Sequence, residues 1–197
     1  MKRRKRCLHG MDIPRCVRRS REGQNMGFLE LAAARYSVRS YSDRPIETEK
    51  MEKILKAGQL APTAVNFQPQ KIYILKSKGA IQKIRSLTQF AYDAPVVLLV
   101  CADKRKVWRS AAERGYDTGE MDASIVCTHM MMEAWELGIG SVWVRGFDSR
   151  QVAEVFELPS HIKPICLLPL GYPSADSVPY EEWHSSFRPL SETVEER

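Results

Sequence analysis

The sequence predicts an α+β layered domain, and three observations carry that prediction. Helical and extended segments are mixed without strict alternation, which disfavours a doubly wound sheet. The apolar run over residues 94–102 (APVVLLVCA) has the length and β-branched content of a buried strand. No G-x-G-x-x-G follows any strand, so a Rossmann dinucleotide site is not expected.

The elements follow in order. Residues 27–36 (GFLELAAARY) read as a short helix with Phe28, Leu31 and Ala32 on one stripe. Thr48 can cap a second helix reaching Leu60, with Met51, Ile54, Leu55 and Gly58 on the buried side. Residues 61–70 break regularity with two prolines. Residues 71–76 read as a strand, 80–87 as a helix and 95–102 as a central strand. The stretch 104–119 is charged and contains two glycines, so it reads as a mobile loop or short helix. Residues 120–137 carry apolar side chains on nearly every helical face, which predicts burial on all sides, as a central helix or one shared with a second subunit. Gly138 and Gly140 end that helix, 141–145 form a strand, and Asp148 caps a helix to about Leu158. Residues 162–170 form a strand whose Pro164 and Pro169 predict an edge position or partial pairing. The last 25 or so residues are proline-punctuated and extended.

At 197 residues the chain can bury a core without staples, and 44% hydrophobic content is ordinary for a globular protein. The net charge of +6 is localised: residues 1–25 hold nine Lys/Arg against two acids, so the body is near neutral. This arm lacks the apolar segment of a secretory signal. It admits three readings: a polyanion contact, a disordered solvated tail, or a stretch preceding a natural start at Met26. The domain reading is therefore a basic, disordered arm over 1–25 and one domain over 26–197. A near-neutral body without a recognition helix gives no expectation of nucleic-acid binding. No apolar run approaches membrane-spanning length. Five cysteines without a C-x-x-C pair predict no metal site and fit a reducing cytoplasm. Cys101, Cys127 and Cys166 read as core fillers. His129, inside the apolar helix, reads as a hydrogen-bonded core residue.

Four segments carry chemistry. In Arg35-Tyr36-Ser37-Val38-Arg39 the two guanidiniums share a face whether the segment is extended or helical, a pattern suited to an anion such as phosphate. Pro62-Thr63-Ala64-Val65-Asn66-Phe67-Gln68-Pro69 is a rigid loop that offers carboxamides to the edge of a flat heteroaromatic ring. In Trp143-Val144-Arg145-Gly146-Phe147-Asp148 the glycine permits close backbone approach to a ligand. Arg188 sits in a tail with no core to serve. Each segment alone is equally readable as a solvated patch or an ordinary turn.

Taken together and in this order, these segments resemble the FMN-dependent nitroreductase family over about residues 27–190. The carrying motifs are R-x-S-x-R, A-P-T-x-x-N-x-Q-P, G-x-G-S-x-W before R-G-F-D, L-P-L-G-Y-P and the terminal R-P-L. The resemblance implies a layered fold with a central, mostly antiparallel sheet flanked by helices. It implies a homodimer with a shared central helix and terminal segments that wrap the neighbour. It further implies that Arg35 and Ser37 bind the FMN phosphate and ribityl tail, and that Arg39 lies near N1 and the C2 carbonyl. Pro62, Thr63 and Ala64 would cover the cofactor from the partner subunit, with Asn66 and Gln68 offering amides to the ring edge. Val144, Arg145 and Gly146 would run along its other face, and Arg188 would close on the phosphate. The implied activity is a ping-pong transfer of electrons from NADH or NADPH to a nitroaromatic or quinone, with no protein group as catalyst. Relatives with other flavin chemistry, reductive dehalogenation or flavin fragmentation, are the alternative. The sequence departs from the family pattern at Tyr36, Gln70, Arg145 and Ser186, and Arg145 would favour anionic acceptors.

Overall fold

A computed structural model describes residues 27–197, so the basic arm lies outside the described residues. The described residues form seven α-helices and four strands: α1 (Phe28–Ala34), α2 (Thr48–Leu60), β1 (Gln70–Leu75), α3 (Lys78–Leu87), β2 (Val96–Asp103), α4 (Gly119–Glu136), β3 (Gly140–Ser141), α5 (Ser149–Val155), β4 (Ile162–Gly171), α6 (Glu181–His184) and α7 (Leu190–Thr193). The sheet has the order β1-β2-β4-β3, and every neighbouring pair is antiparallel.

The apolar run predicted as a central strand is β2, and its period of two splits the core between the two faces of the sheet. Leu98 and Val100 point to one face, where Ile54 of α2, Val126, Cys127 and Met130 of α4, and Cys166 of β4 close over them. Val97, Leu99 and Cys101 point to the other face, against Ile84 of α3, Val152 of α5 and Leu167 of β4. A strand covered on both faces needs no polar alternation, which is why it reads as one continuous apolar run. Each fully buried Leu or Val contributes about 1.5–3 kcal/mol. The three cysteines are completely buried, as predicted, and burial pushes the Cys101 thiol up to about 12.

Two expectations, the cap of α2 and the burial of His129, need correction, and for β4 and α4 one of the two alternatives is set aside. β4 is interior, not an edge, because each proline falls where no ladder bond is needed. Pro164 faces Cys101 beside a register shift at Val100/Cys101. Leu167 donates its N–H to Val144, so by alternation the Pro169 nitrogen faces the same side, where β3 is only two residues long. Thr48 does not cap α2; Glu47 is the cap position, and no side chain caps it. α4 is not buried all round within one chain: Met121 is 54% exposed, and Ile125, Met131 and Met132 are half-buried. His129 is exposed, with Nδ1 paired to the Ile125 carbonyl at 3.0 Å. It borders an open groove of about 340 Å³ with Phe28, Leu31, Ala57 and Met132, so the α1 stripe faces outward rather than into the core.

Candidate active site

Helix α1 ends at Arg35, whose backbone turns extended, and residues 35–42 then run beside the short edge strand β3. Ser37 bridges Ser141, and Val38 donates its N–H to the Ser141 carbonyl at 3.0 Å. The approach requires Gly140: a Cβ there would lie 2.6 Å from Val38 Cγ2. Val38 is completely buried, so Arg35, Ser37 and Arg39 are left on the opposite, half-buried side of the strip. Among the described residues neither arginine forms an ion pair. Burial pulls the Arg35 pKa below its usual value. Arg39 donates to the Ser37 carbonyl at 3.0 Å and otherwise meets only aromatic rings, those of Tyr180, Trp183 and Tyr92. A half-buried guanidinium without a counter-charge is the environment of an anion site, so the strip fits a phosphate-bearing ligand.

The strand end 144–146 joins the same edge of the sheet. Val144 bridges Leu167 and is buried, whereas Arg145 and Gly146 are exposed. A Cβ on Gly146 would stand 2.5 Å from Phe90 Cδ2, and the Gly146 carbonyl accepts from Thr88 Oγ1 at 2.7 Å. Arg145 donates to the Phe147 carbonyl at 3.0 Å and lies over its ring. Asp148 caps α5 as predicted, accepting from the backbone of Arg150 and Gln151. These two backbone bonds hold its carboxyl below the usual range.

The loop 62–68 is held in a costly conformation. Val65, Asn66 and Gln68 all have positive φ, at 47°, 57° and 50°. Each such residue costs roughly 1–2 kcal/mol, so something must over-determine the loop. Much of that comes from Asp122, a buried carboxylate in the first turn of α4. Its Oδ1 accepts from the Ala64 N–H at 2.9 Å, and its Oδ2 from Thr118 Oγ1 at 2.7 Å. Thr63 serves as an internal brace, its Oγ1 accepting from the Gln68 N–H. Asn66 is left exposed, with its side chain uncommitted among the described hydrogen bonds, while the Gln68 amide reaches only the Asn66 carbonyl at 3.5 Å.

The predicted residues therefore form two groups within one chain. Arg35, Ser37, Arg39 and the 144–146 strand end share the β3 edge. The 62–68 loop lies at the far end of the sheet, where the Pro69 carbonyl accepts from Asp103 at 2.8 Å. Ser141 pairs with Leu170, and Leu170 with Val96, so the length of β2 separates the arginine strip from the loop, whereas Val144, through Leu167, stands level with Leu99 in the middle of β2. Seven strand steps correspond to roughly 20 Å. Arg188 is exposed and makes no ion pair among the described residues. Asp122, Thr118, Phe90 and the aromatic cover of Arg39 were missed by sequence reasoning. Only Asp122 left a signal, as an acid beside the apolar residues at the start of a largely apolar helix.

The nitroreductase family profile matches residues 32–89 and 82–172. The chain belongs to the nitroreductase family. A crystal structure of a nitroreductase family protein from Clostridium difficile 630 is 43% identical, with a TM-score of 0.79 over 86% of this chain and 98% of that one. A Methanothermobacter thermautotrophicus protein provisionally named NADH dehydrogenase/NAD(P)H nitroreductase is 31% identical over 76% of this chain and 78% of its own length. An FMN reductase [NAD(P)H] of Bacillus subtilis is 31% identical over 70% of this chain and 62% of its own length. The antiparallel sheet flanked by helices is thus the fold that the family resemblance implied.

Proposed function

We propose that this nitroreductase family member is an NAD(P)H-dependent FMN oxidoreductase, and that residues 26–197 are its FMN-binding domain. The observation that carries the reading is the pair of half-buried guanidiniums Arg35 and Arg39, without an ion pair among the described residues, beside the glycine-bearing strand end. Similarity to an FMN reductase [NAD(P)H] supports both the cofactor and the electron donor.

FMN, when bound, supplies the two-electron chemistry between NADH or NADPH and a small organic acceptor such as a nitroaromatic or quinone. The chain's residues bind and orient. Arg35, Ser37 and Arg188 hold the phosphate and ribityl tail, and Arg39 presents positive charge to the ring edge that becomes more negative on reduction. Val144, Arg145 and Gly146 line one face. Thr63, Ala64, Asn66 and Gln68, following Pro62, approach from a second copy of the chain, because one copy holds these groups at opposite ends of its sheet. The exposed Phe28 beside the α4 groove, and the exposed Met121 at the start of α4, supply apolar surface for that homodimer. Donor and acceptor use one pocket in turn, which is a ping-pong cycle without a protein acid or base.

The visible spectrum of the purified full-length protein tests the reading. A yellow dimer bleached by NAD(P)H without oxygen is expected. A colourless monomer that cannot be reconstituted with FMN refutes it.

A further inference from the structure

The C-terminal segment leaves β4 and returns along the arginine strip. Tyr41 bridges Pro173, Ser174 donates its N–H to the Ser40 carbonyl at 3.1 Å, and Tyr36 Oη donates to the Ser177 carbonyl at 3.1 Å. The Tyr36 ring is wedged edge-on between Trp135 at 5.1 Å and His184 at 6.4 Å. Tyr36 is one of the positions where the sequence departs from the family pattern, and here it ties the tail to the strip. The segment then places the Tyr180 ring 4.7 Å and the Trp183 ring 5.5 Å from the Arg39 guanidinium carbon, and these two rings meet edge-on at 5.2 Å. Tyr92 closes the remaining side at 5.8 Å. It does so from a backbone with φ of 50° followed by Asp93 at 55°, a strained turn that fixes where the ring points.

Three rings round one cation do something that a carboxylate cannot. The ring quadrupole attracts the guanidinium, so the side chain is held, yet the positive charge is not cancelled. Glu181 and Glu182 stand in the same short helix, but neither pairs with Arg39. Most of the guanidinium N–H donors stay available, since one bonds the Ser37 carbonyl and π faces supply no oxygen acceptor. Trp183 is 73% exposed, Tyr180 is 53% exposed and α6 buries nothing, so these two aromatic residues serve no core, unlike Tyr92, which also packs against it.

We propose that Tyr180 and Trp183, with Tyr92, are positioning residues that pre-set the Arg39 guanidinium, unneutralised, for an anionic ligand edge, and that Tyr36 contributes by anchoring their segment. This rests on the FMN reading above, in which Arg39 faces the ring edge that gains charge on reduction. Pre-setting removes rotamer loss from binding and acts more strongly on the reduced, more negative state.

FMN affinity and the midpoint potential of the bound flavin are measured for wild type, Trp183→Ala, Trp183→Phe and Tyr36→Phe. Trp183→Ala is expected to weaken FMN binding on the order of tenfold. The reduced state loses about tenfold more than the oxidised one, which lowers the potential by about 30 mV. Trp183→Phe restores both values to near wild type, and Tyr36→Phe shifts both in the same direction by less. Unchanged affinity and potential in Trp183→Ala overturn the proposal, and so does tighter binding, which would mark the tail as an obstruction. A wild type that binds no FMN overturns the oxidoreductase reading itself, whereas a flavin-loaded wild type with indifferent variants overturns only the positioning role.

Discussion

Replacing Asp122 by alanine separates loop positioning from fold stability. The carboxylate is 2% exposed, and its two bonds, to the Ala64 N–H and Thr118 Oγ1, join the 62–68 loop to the start of α4. Hydrogen bonds to a charged group contribute about 1.5–3 kcal/mol each, so up to about 6 kcal/mol rests on this residue. The three left-handed residues of the loop, Val65, Asn66 and Gln68, store roughly 3–6 kcal/mol. Once the anchor is gone that strain can relax, which offsets much of the loss. We therefore expect a modest fall in stability, about 1–3 kcal/mol, lowering Tm by roughly 2–12 °C. The loop itself should lose its conformation. Amide hydrogen exchange reads this directly, because the Asn66 and Phe67 N–H groups are protected only by bonds to Thr63 and Ala64 within the loop. Asp122→Ala should expose both amides to fast exchange while β2 amides keep their protection. Asp122→Asn, which retains an acceptor for Ala64, should stay near wild type. Unaltered protection of Asn66 and Phe67 in Asp122→Ala, with Tm unchanged, would refute the claim that this carboxylate holds the loop.

Three further expectations follow from the same geometry. Gly140→Ala places a methyl group 2.6 Å from the buried Val38 and should cost about 1–3 kcal/mol while loosening FMN binding; Val38→Ala in the same chain should recover most of the Tm. Glu47 is held at about 2, against a usual 4.5, first by the Tyr172 hydroxyl and then by a backbone bond and Arg44. Its contribution is therefore present above pH 4.5 and lost as pH falls towards 2, so acid titration of Glu47→Gln should show a smaller drop in Tm over that window. Arg145→Ala should lower kcat/KM for anionic quinones relative to neutral ones, because the exposed guanidinium beside Gly146 is the charge an incoming acceptor meets; equal ratios in both proteins would dismiss that role.

The features that were legible in the sequence are those written in local chemistry. The run 94–102 announced β2 because double burial leaves no polar face, and Asp148 announced its helix because a cap needs only its own neighbours. The R-x-S-x-R and A-P-T-x-x-N-x-Q-P motifs pointed to both halves of the site proposed above. Pro164 and Pro169 left an edge position and partial pairing both open, because a proline's cost depends on which side its missing N–H faces, and that is decided by register and by the length of the neighbouring strand. The α4 pattern left a choice open in a related way. An all-apolar helix states that every face will be covered, but not by which chain. The contacts of Tyr36 with Ser177, and of Arg39 with Trp183, join residues more than 140 positions apart, and nothing local marks either end.

The separation of the two half-sites gives the strongest argument for assembly. The arginine strip cannot move towards the 62–68 loop, since Val38 and Gly140 bind it to the β3 edge in van der Waals contact. Nor can the loop move towards the strip, since Asp122 and the Pro69–Asp103 bond tie it to the other end of β2. Closing roughly 20 Å within one chain would require breaking the sheet that forms the core. The homodimer proposed above would remove the difficulty, because a two-fold axis can bring the loop of one copy to the strip of the other while leaving both folds intact. It also accounts for the half-exposed side of α4 and the outward-facing Phe28. On this argument, dilution to monomer should release flavin in parallel with dissociation. A monomer that retains FMN with undiminished affinity would require a site built from the strip alone, with the strained loop left unexplained.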